Sequence, residues 1–428
     1  MQDGGAPRSI TTLIRRGQFA RLFWAGAVSS MGDWVSLFAS IALGNALAGT
    51  VGISVPLVAR FLPAVFVGAA AGVVAYRFDA KRVMVVSDIA RGLLAATLVF
   101  VGTLQALFVV TLLIEVFSLV RQPAREAAMG RVVERNELMN ANSVSVFITY
   151  GTIPLAGALW TGLAAISEQL LDASPWQVAY AFDAVTFALS AAIMATMVVP
   201  SGPAGIARKM GSWGVRGALD DFQRGVRYVL GNPVIRIPVL SVVWALVGAA
   251  PIFVLGEPFS QQILGLGSTG FGVLATAIGF GTALGVLAAR ALDSSKLELA
   301  LGFAIALIVA GMGVIGVAFS DNLGTAGTGA FTAGFGTGAA YVLAFTTIHA
   351  TVSDELRGRT FATLFMLARA GMVVSLAAAP LLATVLDGIV GGELAEGTRL
   401  TFFISGSVVV TAGIAAAVGW ARHRVETA

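Results

Sequence analysis

The sequence contains no cysteine, only two histidines and only three lysines. Without cysteine, disulfides, thiol catalysis and cysteine metal sites are excluded. His349 and His423 lie too far apart in the chain for a zinc-binding motif. Lys81, Lys209 and Lys296 are followed by Arg, Met and Leu, so none of them completes a GxxxxGK[ST] phosphate-binding loop. These absences predict a protein with no metal, no cofactor and no ATPase engine of that type.

Charged residues are also scarce. They make up 12% of the 428 residues, whereas a soluble globular protein carries roughly 25%. Hydrophobic residues make up 57% of the chain, and its mean hydropathy is +0.87. Because so little charge cannot cover a surface that faces water, we expect a lipid bilayer to surround much of the chain. Nucleic acid is not an expected partner, although the net charge is +4.

Twelve apolar stretches recur along the chain, and each is long enough to form a membrane-spanning helix of about 20 residues. They cover residues 20–48, 52–76, 83–104, 106–126, 141–166, 177–199, 237–256, 270–292, 297–319, 324–348, 360–386 and 399–421. The sequence therefore predicts an all-α membrane protein with twelve transmembrane helices.

A polar stretch divides these spans into two groups of six. It begins with Pro-Ser-Gly-Pro and contains an amphipathic segment, 218–230, that fits either a helix on the inner leaflet or an ordinary linker helix. The first residues carry arginines but no apolar core with a cleavage site, which indicates a cytoplasmic tail rather than a signal peptide. The predicted domains are an N-terminal tail (1–18), a six-helix bundle (19–199), a cytoplasmic linker (200–236), a second six-helix bundle (237–421) and a C-terminal tail (422–428).

Basic residues fall almost entirely on one side of the predicted membrane. Apart from six in the central loop and its flanks, that side receives Arg77, Lys81, Arg82, Arg121, Arg125, Arg131, Arg135, Arg290, Lys296, Arg357, Arg359, Arg422 and Arg424. The loops predicted on the other side hold Glu168, Asp172, Glu257, Asp321, Asp387, Glu393 and Glu396, with Arg399 as their one basic residue. By the positive-inside rule, both termini are expected in the cytoplasm.

An internal repeat relates the two halves. Residues 72–77 (GVVAYR) match 285–290 (GVLAAR), and 133–138 (VERNEL) resemble 352–356 (VSDEL). Duplicated six-helix halves with pseudo-two-fold symmetry are the usual architecture of secondary transporters, with the substrate site at the interface of the repeats.

Several motifs distributed over the whole chain carry a resemblance to one family. They are FWAGAVSSMGDW (23–34), RFLP (60–63), DIAR (88–91), RQPAR (121–125), AFDAVTF (181–187), GVRYVLGNP (225–233) and ELRGR (355–359). With these motifs the chain resembles the major facilitator superfamily, and more narrowly the branch that includes enterobactin exporters and macrolide efflux pumps. The resemblance implies the major facilitator fold, a bacterial cytoplasmic (inner) membrane, a single chain as the functional unit and no enzymatic activity.

The resemblance also implies a set of gating and cytoplasmic-motif residues. These are Gly72, Arg77, Asp79, Arg82, Asp88, Arg91, Arg121, Arg125, Pro154, Gly157, Arg357 and Arg359. The chain departs from the family pattern at Tyr76, where the family has an acidic residue that latches the two halves; Asp79 or Asp88 can replace it. In the antiporter signature of span five, Ile153 replaces the glycine before the proline.

Charged residues inside the predicted spans are costly and therefore candidates for function. Asp33 and Arg60 fit a self-neutralising pair, either a structural lock or a coupling pair that breaks during transport. Glu115 has no basic residue within one helical turn, and the resemblance implies that its helix lines the cavity. It is the first choice for proton coupling or cation recognition, and its alternative role is a structural pair with Arg369.

The candidate substrate-binding or coupling residues are Asp33, Arg60, Glu115, Arg369, Trp34, Trp244 and Tyr341, the aromatics being suited to bulky amphipathic substrates. Asp183, near the outer end of span six, is expected to be structural. Span ten has six glycines within residues 324–338, which favour either close helix packing or a flexible gate.

The leading functional hypothesis is a proton-driven exporter of a hydrophobic or amphipathic small molecule, such as a drug, a siderophore or a secondary metabolite. The alternative within transport is an uptake carrier or lysophospholipid transporter of the same fold. An intramembrane aspartyl protease is disfavoured because Ser30 stands where its GxGD motif needs glycine.

The predicted orientation can be tested with reporters fused to the C-terminal tail. Because the tail is expected in the cytoplasm, a fluorescent protein there should be bright, and an alkaline phosphatase there should be inactive. An active phosphatase would contradict the orientation.

Overall fold

The structure is a computed structural model that describes residues 10–15, 17–66, 78–134, 137, 141, 144–145, 148, 151–167, 173–199, 223–224, 226–289, 296–351, 354–390 and 394–427. Within these residues the regular structure is helical. The helices are α1 (Ile10–Arg15), α2 (Gly17–Phe66), α3 (Ala80–Leu98), α4 (Leu104–Val132), α5 (Ile153–Ile166), α6 (Pro175–Ala195), α7 (Pro233–Pro258), α8 (Gly267–Ala289), α9 (Lys296–Ala318), α10 (Leu323–Thr351), α11 (Asp354–Val390) and α12 (Leu394–Thr427). A π-helical segment, Phe259–Ile263, follows α7 directly.

Within the described residues, each of the twelve predicted spans includes helix. Nine helices in the described ranges are long and apolar enough to cross a membrane, and one of these, α2, contains the first predicted span and the described part of the second. The third span is α3, which carries four charged side chains, and the described core of the fifth is α5, a shorter apolar helix of 14 residues. The prediction of an all-α membrane fold is confirmed.

Helix α2 contains its own turn. Ala48 and Gly49 leave helical geometry, with φ of −152° and +61°, so the axis bends there. Gly49 lies in the left-handed region, which favours glycine because a Cβ would clash with the backbone. Next to the bend a Cβ on Gly52 would lie 2.1 Å from the carbonyl oxygen of Gly44. The first two spans therefore meet at glycine, and the chain reverses without a separate loop.

Contacts divide the chain into two compact units. The first comprises residues 1–40 and 66–215, and the second comprises residues 41–65 and 216–428. Segment 41–65 thus belongs with the second unit by its contacts, whereas the division by sequence halves assigns it to the first bundle.

Each unit has its own apolar core. In the first, buried side chains of α1, α2, α3, α4 and α6 pack together, including Leu22, Met84, Met129 and Met194. In the second, buried side chains of α9, α10 and α12 pack around Phe303.

Polar side chains cap the helices of the first unit. The Asp79 carboxylate accepts from the backbone N–H of Arg82 at the start of α3, and Thr103 caps α4 in the same way through Ala106. At α6, Ser174 and Gln177 form a capping box ahead of Pro175. These caps satisfy N–H groups that have no partner within the helix, and they fix where α3, α4 and α6 begin.

Glycines bring α8 and α10 of the second unit into direct backbone contact. A Cβ on Gly334 or Gly338 would lie 2.1 Å from the carbonyl oxygen of Ile278 or Thr282, and a Cβ on Gly281 or Gly285 would collide with α10 in the same way. Other glycines of α10 face α9, where a Cβ on Gly336 would lie 2.3 Å from the amide nitrogen of Ala310. The small-residue spacing of span ten therefore serves close packing, as in other membrane helix pairs.

Gly338→Ala should destabilise the second unit by about 1–3 kcal/mol, because its Cβ must displace backbone rather than a flexible side chain. Gly327→Ala, on the same helix, is the matched control, since nothing lies within 4 Å of its Cβ position. Thermal unfolding in detergent measures both. Equal melting temperatures for the two variants would contradict the packing account.

Candidate functional site

Asp88 of α3 is fully buried and lies between two arginines of the first unit. The Nε of Arg121, on α4, lies 2.6 Å from Asp88 Oδ1, and Arg91 Nη1 donates to the same oxygen at 3.4 Å. Ser190 of α6 donates from Oγ to Asp88 Oδ2 at 2.6 Å. One carboxylate therefore joins α3, α4 and α6 inside the bundle.

Asp33 of α2 extends this network toward solvent. Its Oδ1 accepts from Arg91 Nη2 at 2.6 Å. The Arg91 guanidinium also lies over the Phe187 ring, 4.0 Å from the centroid, where the face of the ring attracts a cation. The side chain of Asp33 is 23% exposed, whereas those of Arg91 and Asp88 are 3% and 0% exposed. Asp33 is thus the more exposed of the two carboxylates that Arg91 contacts.

Asp183 of α6 is a third carboxylate beside the network. It is buried, and the Thr186 hydroxyl donates to its backbone carbonyl at 2.8 Å and its Oδ1 at 3.2 Å. A Cβ on Gly32 would lie 2.1 Å from Thr186 Oγ1 and 2.3 Å from Asp183 Oδ1. Gly32 therefore lets these polar groups approach the backbone of α2 directly beside Asp33.

Arg125 lies one turn beyond Arg121 on α4 and is also buried. Its ion-pair partner among the described residues is Glu126, at 3.7 Å and half-exposed. A Cβ on Gly26 would lie 3.6 Å from its Nη2. Glycine on α2 thus makes room for this arginine as well.

A network of this kind is suited to holding and moving charge inside lipid. A buried ion pair is stable only when its charges are matched and hydrogen-bonded, and removing one partner is strongly destabilising. Here Arg91 is shared between a partly exposed carboxylate, Asp33, and a fully buried one, Asp88.

The structure brings together four residues that the sequence identified separately: Asp33, Asp88, Arg91 and Arg121. The predicted pair of Asp33 with Arg60 stays a prediction; Arg60 is half-buried and belongs to the second unit.

Of the other coupling candidates, Glu115 and Trp34 are half-buried in the first unit. In the second unit, Trp244 and Arg369 are exposed, and Tyr341 packs against Phe345 with ring centroids 4.5 Å apart. The pairing of Glu115 with Arg369 stays a prediction.

The cytoplasmic-motif residues are described in part. Asp79 caps α3, Arg82 is exposed in its first turn, and Pro154 and Gly157 are buried in α5. Gly72 and Arg77 lie outside the described residues, as do the side chains of Arg357 and Arg359 on α11.

Three acidic residues that the sequence assigned to outer loops lie inside helices instead: Glu257, Asp387 and Glu396, the last of which is exposed in the first turn of α12. Glu257 is fully buried near the end of α7, and Asp387 is buried in α11, where its Oδ1 accepts from the backbone N–H of Gly397 at 2.5 Å. The loop assignment was wrong because α7 and α11 continue past the last strongly apolar residues.

Comparison with known proteins agrees with this architecture. The family model described as Major Facilitator Superfamily matches residues 22–376. The chain is 26% identical over 410 residues to an uncharacterized MFS-type transporter, YfiS, of Bacillus subtilis (strain 168), covering 92% of this chain and 90% of that protein.

Two solved structures share the fold. A bacterial homologue of the human lysosomal transporter Spinster, in an inward-facing and unoccupied conformation, matches with a TM-score of 0.72 at 13% identity, over 94% of this chain and 96% of that one. The nucleoside transporter NupG matches with a TM-score of 0.68 at 14% identity, over 94% of this chain and 98% of that one.

Asp88→Asn should destabilise the first unit by about 3–5 kcal/mol, because it leaves two buried guanidinium groups without their shared counter-charge. Asp79→Asn is the matched control on the same helix, since asparagine caps a helix as well as aspartate does. Thermal unfolding in detergent compares the two. A melting temperature for Asp88→Asn equal to that of Asp79→Asn would show that Asp88 does not hold the network.

Proposed function

This chain belongs to the major facilitator superfamily, a family of transporters rather than enzymes, and from that premise we propose that it exports a hydrophobic or amphipathic small molecule in exchange for protons. The proposed mechanism is alternating access, driven by the proton gradient. The candidate cargo classes are drugs, siderophores and secondary metabolites. The proposed setting is the bacterial inner membrane, with both termini in the cytoplasm and one chain as the functional unit.

The observation that carries the coupling proposal is the ion pair between Asp33 and Arg91. Arg91 Nη2 and Asp33 Oδ1 are 2.6 Å apart, and Asp33 is the partly exposed end of a network that is otherwise buried. The proposed proton acceptor is Asp33 rather than Asp88, because Asp33 is the more exposed of the two. Protonation of Asp33 neutralises its carboxylate and weakens the ion pair with Arg91, and deprotonation restores it. The strength of this contact between α2 and α3 therefore depends on whether Asp33 holds a proton.

Glu115 remains the rival coupling residue. It is a half-buried carboxyl inside α4, the helix that also carries Arg121. Carboxyl groups inside transmembrane bundles serve as proton carriers in many transporters. The two assignments differ in what they require, because the Asp33 assignment needs Arg91 and the Glu115 assignment does not.

The substrate class is supported by the scarcity of charge and by exposed aromatic side chains such as Trp24 and Trp244. The proposal of export rests on the resemblance of the sequence motifs to those of efflux pumps. The structural neighbours include a nucleoside transporter and a Spinster homologue, but at 14% and 13% identity they show a shared fold and not a shared substrate or direction. Uptake by the same fold is the alternative direction.

The coupling assignment predicts a difference between Asp33→Asn and Glu115→Gln in liposomes loaded with the dye ethidium as probe. A pH gradient should accelerate dye movement by wild-type protein and by Glu115→Gln. It should have no effect on Asp33→Asn, because that residue no longer binds the proton. Loss of the gradient effect in Glu115→Gln with its retention in Asp33→Asn would transfer the role to Glu115.

Asp321→Asn is the control for this experiment, since Asp321 is an exposed loop carboxylate whose ion-pair partner is Arg399. Ethidium retention in intact cells separates the directions: cells that produce the protein should hold less dye than cells that do not. Greater retention would contradict export.

A further inference from the structure

Glu257 is a fully buried carboxyl in the second unit that the coupling network of the first unit does not use. It lies one residue before the end of α7. With both termini in the cytoplasm, as the distribution of basic residues predicts, this end of α7 is the outer one. The cost of burying a carboxyl group inside a membrane span makes a functional role the default expectation.

The backbone next to Glu257 is unusual. The helix changes from α to π geometry at Phe259–Ile263, and the N–H of Leu264 bonds the carbonyl of Phe259 five residues earlier. Ser260, also fully buried, donates from Oγ to the carbonyl of Gly267 at 2.7 Å and thereby pins the turn that follows. π-Helical turns within longer helices are frequent at functional sites.

A chain of two hydrogen bonds connects Glu257 to α2. Gln261 Nε2 donates to Glu257 Oε1 at 2.8 Å, and Asn45 Nδ2 donates to Gln261 Oε1 at 2.9 Å. Gln261, the middle member, is exposed, whereas Asn45 is half-buried and Glu257 is buried, so the carboxyl is one hydrogen bond away from an exposed side chain. Asn45 stands three residues before the bend at Ala48 and Gly49.

The strength of this chain depends on the charge of Glu257. A hydrogen bond to an ionised carboxylate is roughly twice as strong as one between neutral groups. A proton held at Oε2 leaves Oε1 in place as an acceptor but weakens its bond from Gln261. Because Gln261 is then less firmly positioned, its hydrogen bond with Asn45 is weakened as well, three residues before the bend of α2.

Charged residues on the surrounding elements are few. Helix α8 has none, and at the same end of the unit α11 contributes Asp387 while α12 contributes Glu396 and Arg399. Asp387 is bonded to the N–H of Gly397, and Arg399 is paired with Asp321 at 2.5 Å. Farther along the packed elements the described charged side chains are Arg60, Arg236 and Arg369.

We propose that Glu257 is a second proton-binding site, at the outer end of the second unit, and that Gln261 and Asn45 are positioning residues that transmit its charge to the bend of α2. The proton comes from water at the exposed Gln261 side chain and is held on the Glu257 carboxyl; no other bond is made or broken. This assignment rests on the proposed proton-coupled function for its role in transport, but proton binding itself does not.

Infrared difference spectroscopy of the purified protein between acidic and alkaline pH tests proton binding without a substrate. The absorption of protonated carboxyl groups should lose one component in Glu257→Gln and retain it in Glu257→Asp. Gln261→Ala should shift that component. Gln262→Ala should leave it in place, because Gln262 is exposed and is not part of the hydrogen-bond chain from Asn45 to Glu257. A Glu257→Gln spectrum identical to the wild-type one would show that Glu257 does not bind the proton. An unshifted Gln261→Ala spectrum would show that Gln261 does not influence the Glu257 carboxyl.

The ethidium liposomes provide the transport measurement. Glu257→Gln should lose the acceleration by a pH gradient while dye still equilibrates, and Glu257→Asp should regain part of it. If the wild type responds to the gradient and Glu257→Gln responds equally, the coupling role of Glu257 is wrong. If the wild type itself shows no response, the proposed function fails, and the infrared result still decides whether Glu257 binds a proton.

Discussion

The first unit depends on the neutralisation of buried charge by Asp88. Two guanidinium groups inside a membrane bundle require a counter-charge within hydrogen-bond distance, since neither water nor lipid supplies one. Asp88 does this with both oxygens, accepting from Arg91 on one and from Ser190 on the other while Arg121 lies 2.6 Å away. The positions of α3, α4 and α6 follow from that single carboxylate. The link to Asp33 adds α2, and with it a carboxylate that is partly exposed.

The second unit is held together in a different way. Its helices α8, α9 and α10 approach through glycine, and a side chain at Gly285 or Gly338 would overlap the backbone of the neighbouring helix. Lipid gives no hydrophobic drive for such contacts, so close packing has to supply the attraction. Contacts this tight disfavour bending of α10. Bending is easier in α2, where Gly49 already departs from helical geometry.

The sequence predicted the helices well because long apolar runs in a charge-poor chain have few other solutions. It also selected Asp33, Asp88, Arg91 and Arg121, three of them through family motifs. It could not predict that Asp33 bonds Arg91, 58 residues away, because that contact depends on how α2 and α3 pack. It misplaced Glu257 because a glutamate followed by proline is typical of a loop, whereas here the helix continues through Pro258 into π geometry.

Helix α2 contributes to both carboxylate systems. Asp33, in the part that belongs to the first unit, bonds Arg91, and Asn45, in the part that belongs to the second, bonds Gln261 on the way to Glu257. A proton on Asp33 would weaken a hydrogen bond of this helix directly, whereas a proton on Glu257 would weaken the bond that holds Gln261, the partner of Asn45. Because a ligand shifts a conformational equilibrium only through differential interactions with the two states, the proposed coupling makes α2 the element on which a proton gradient would act.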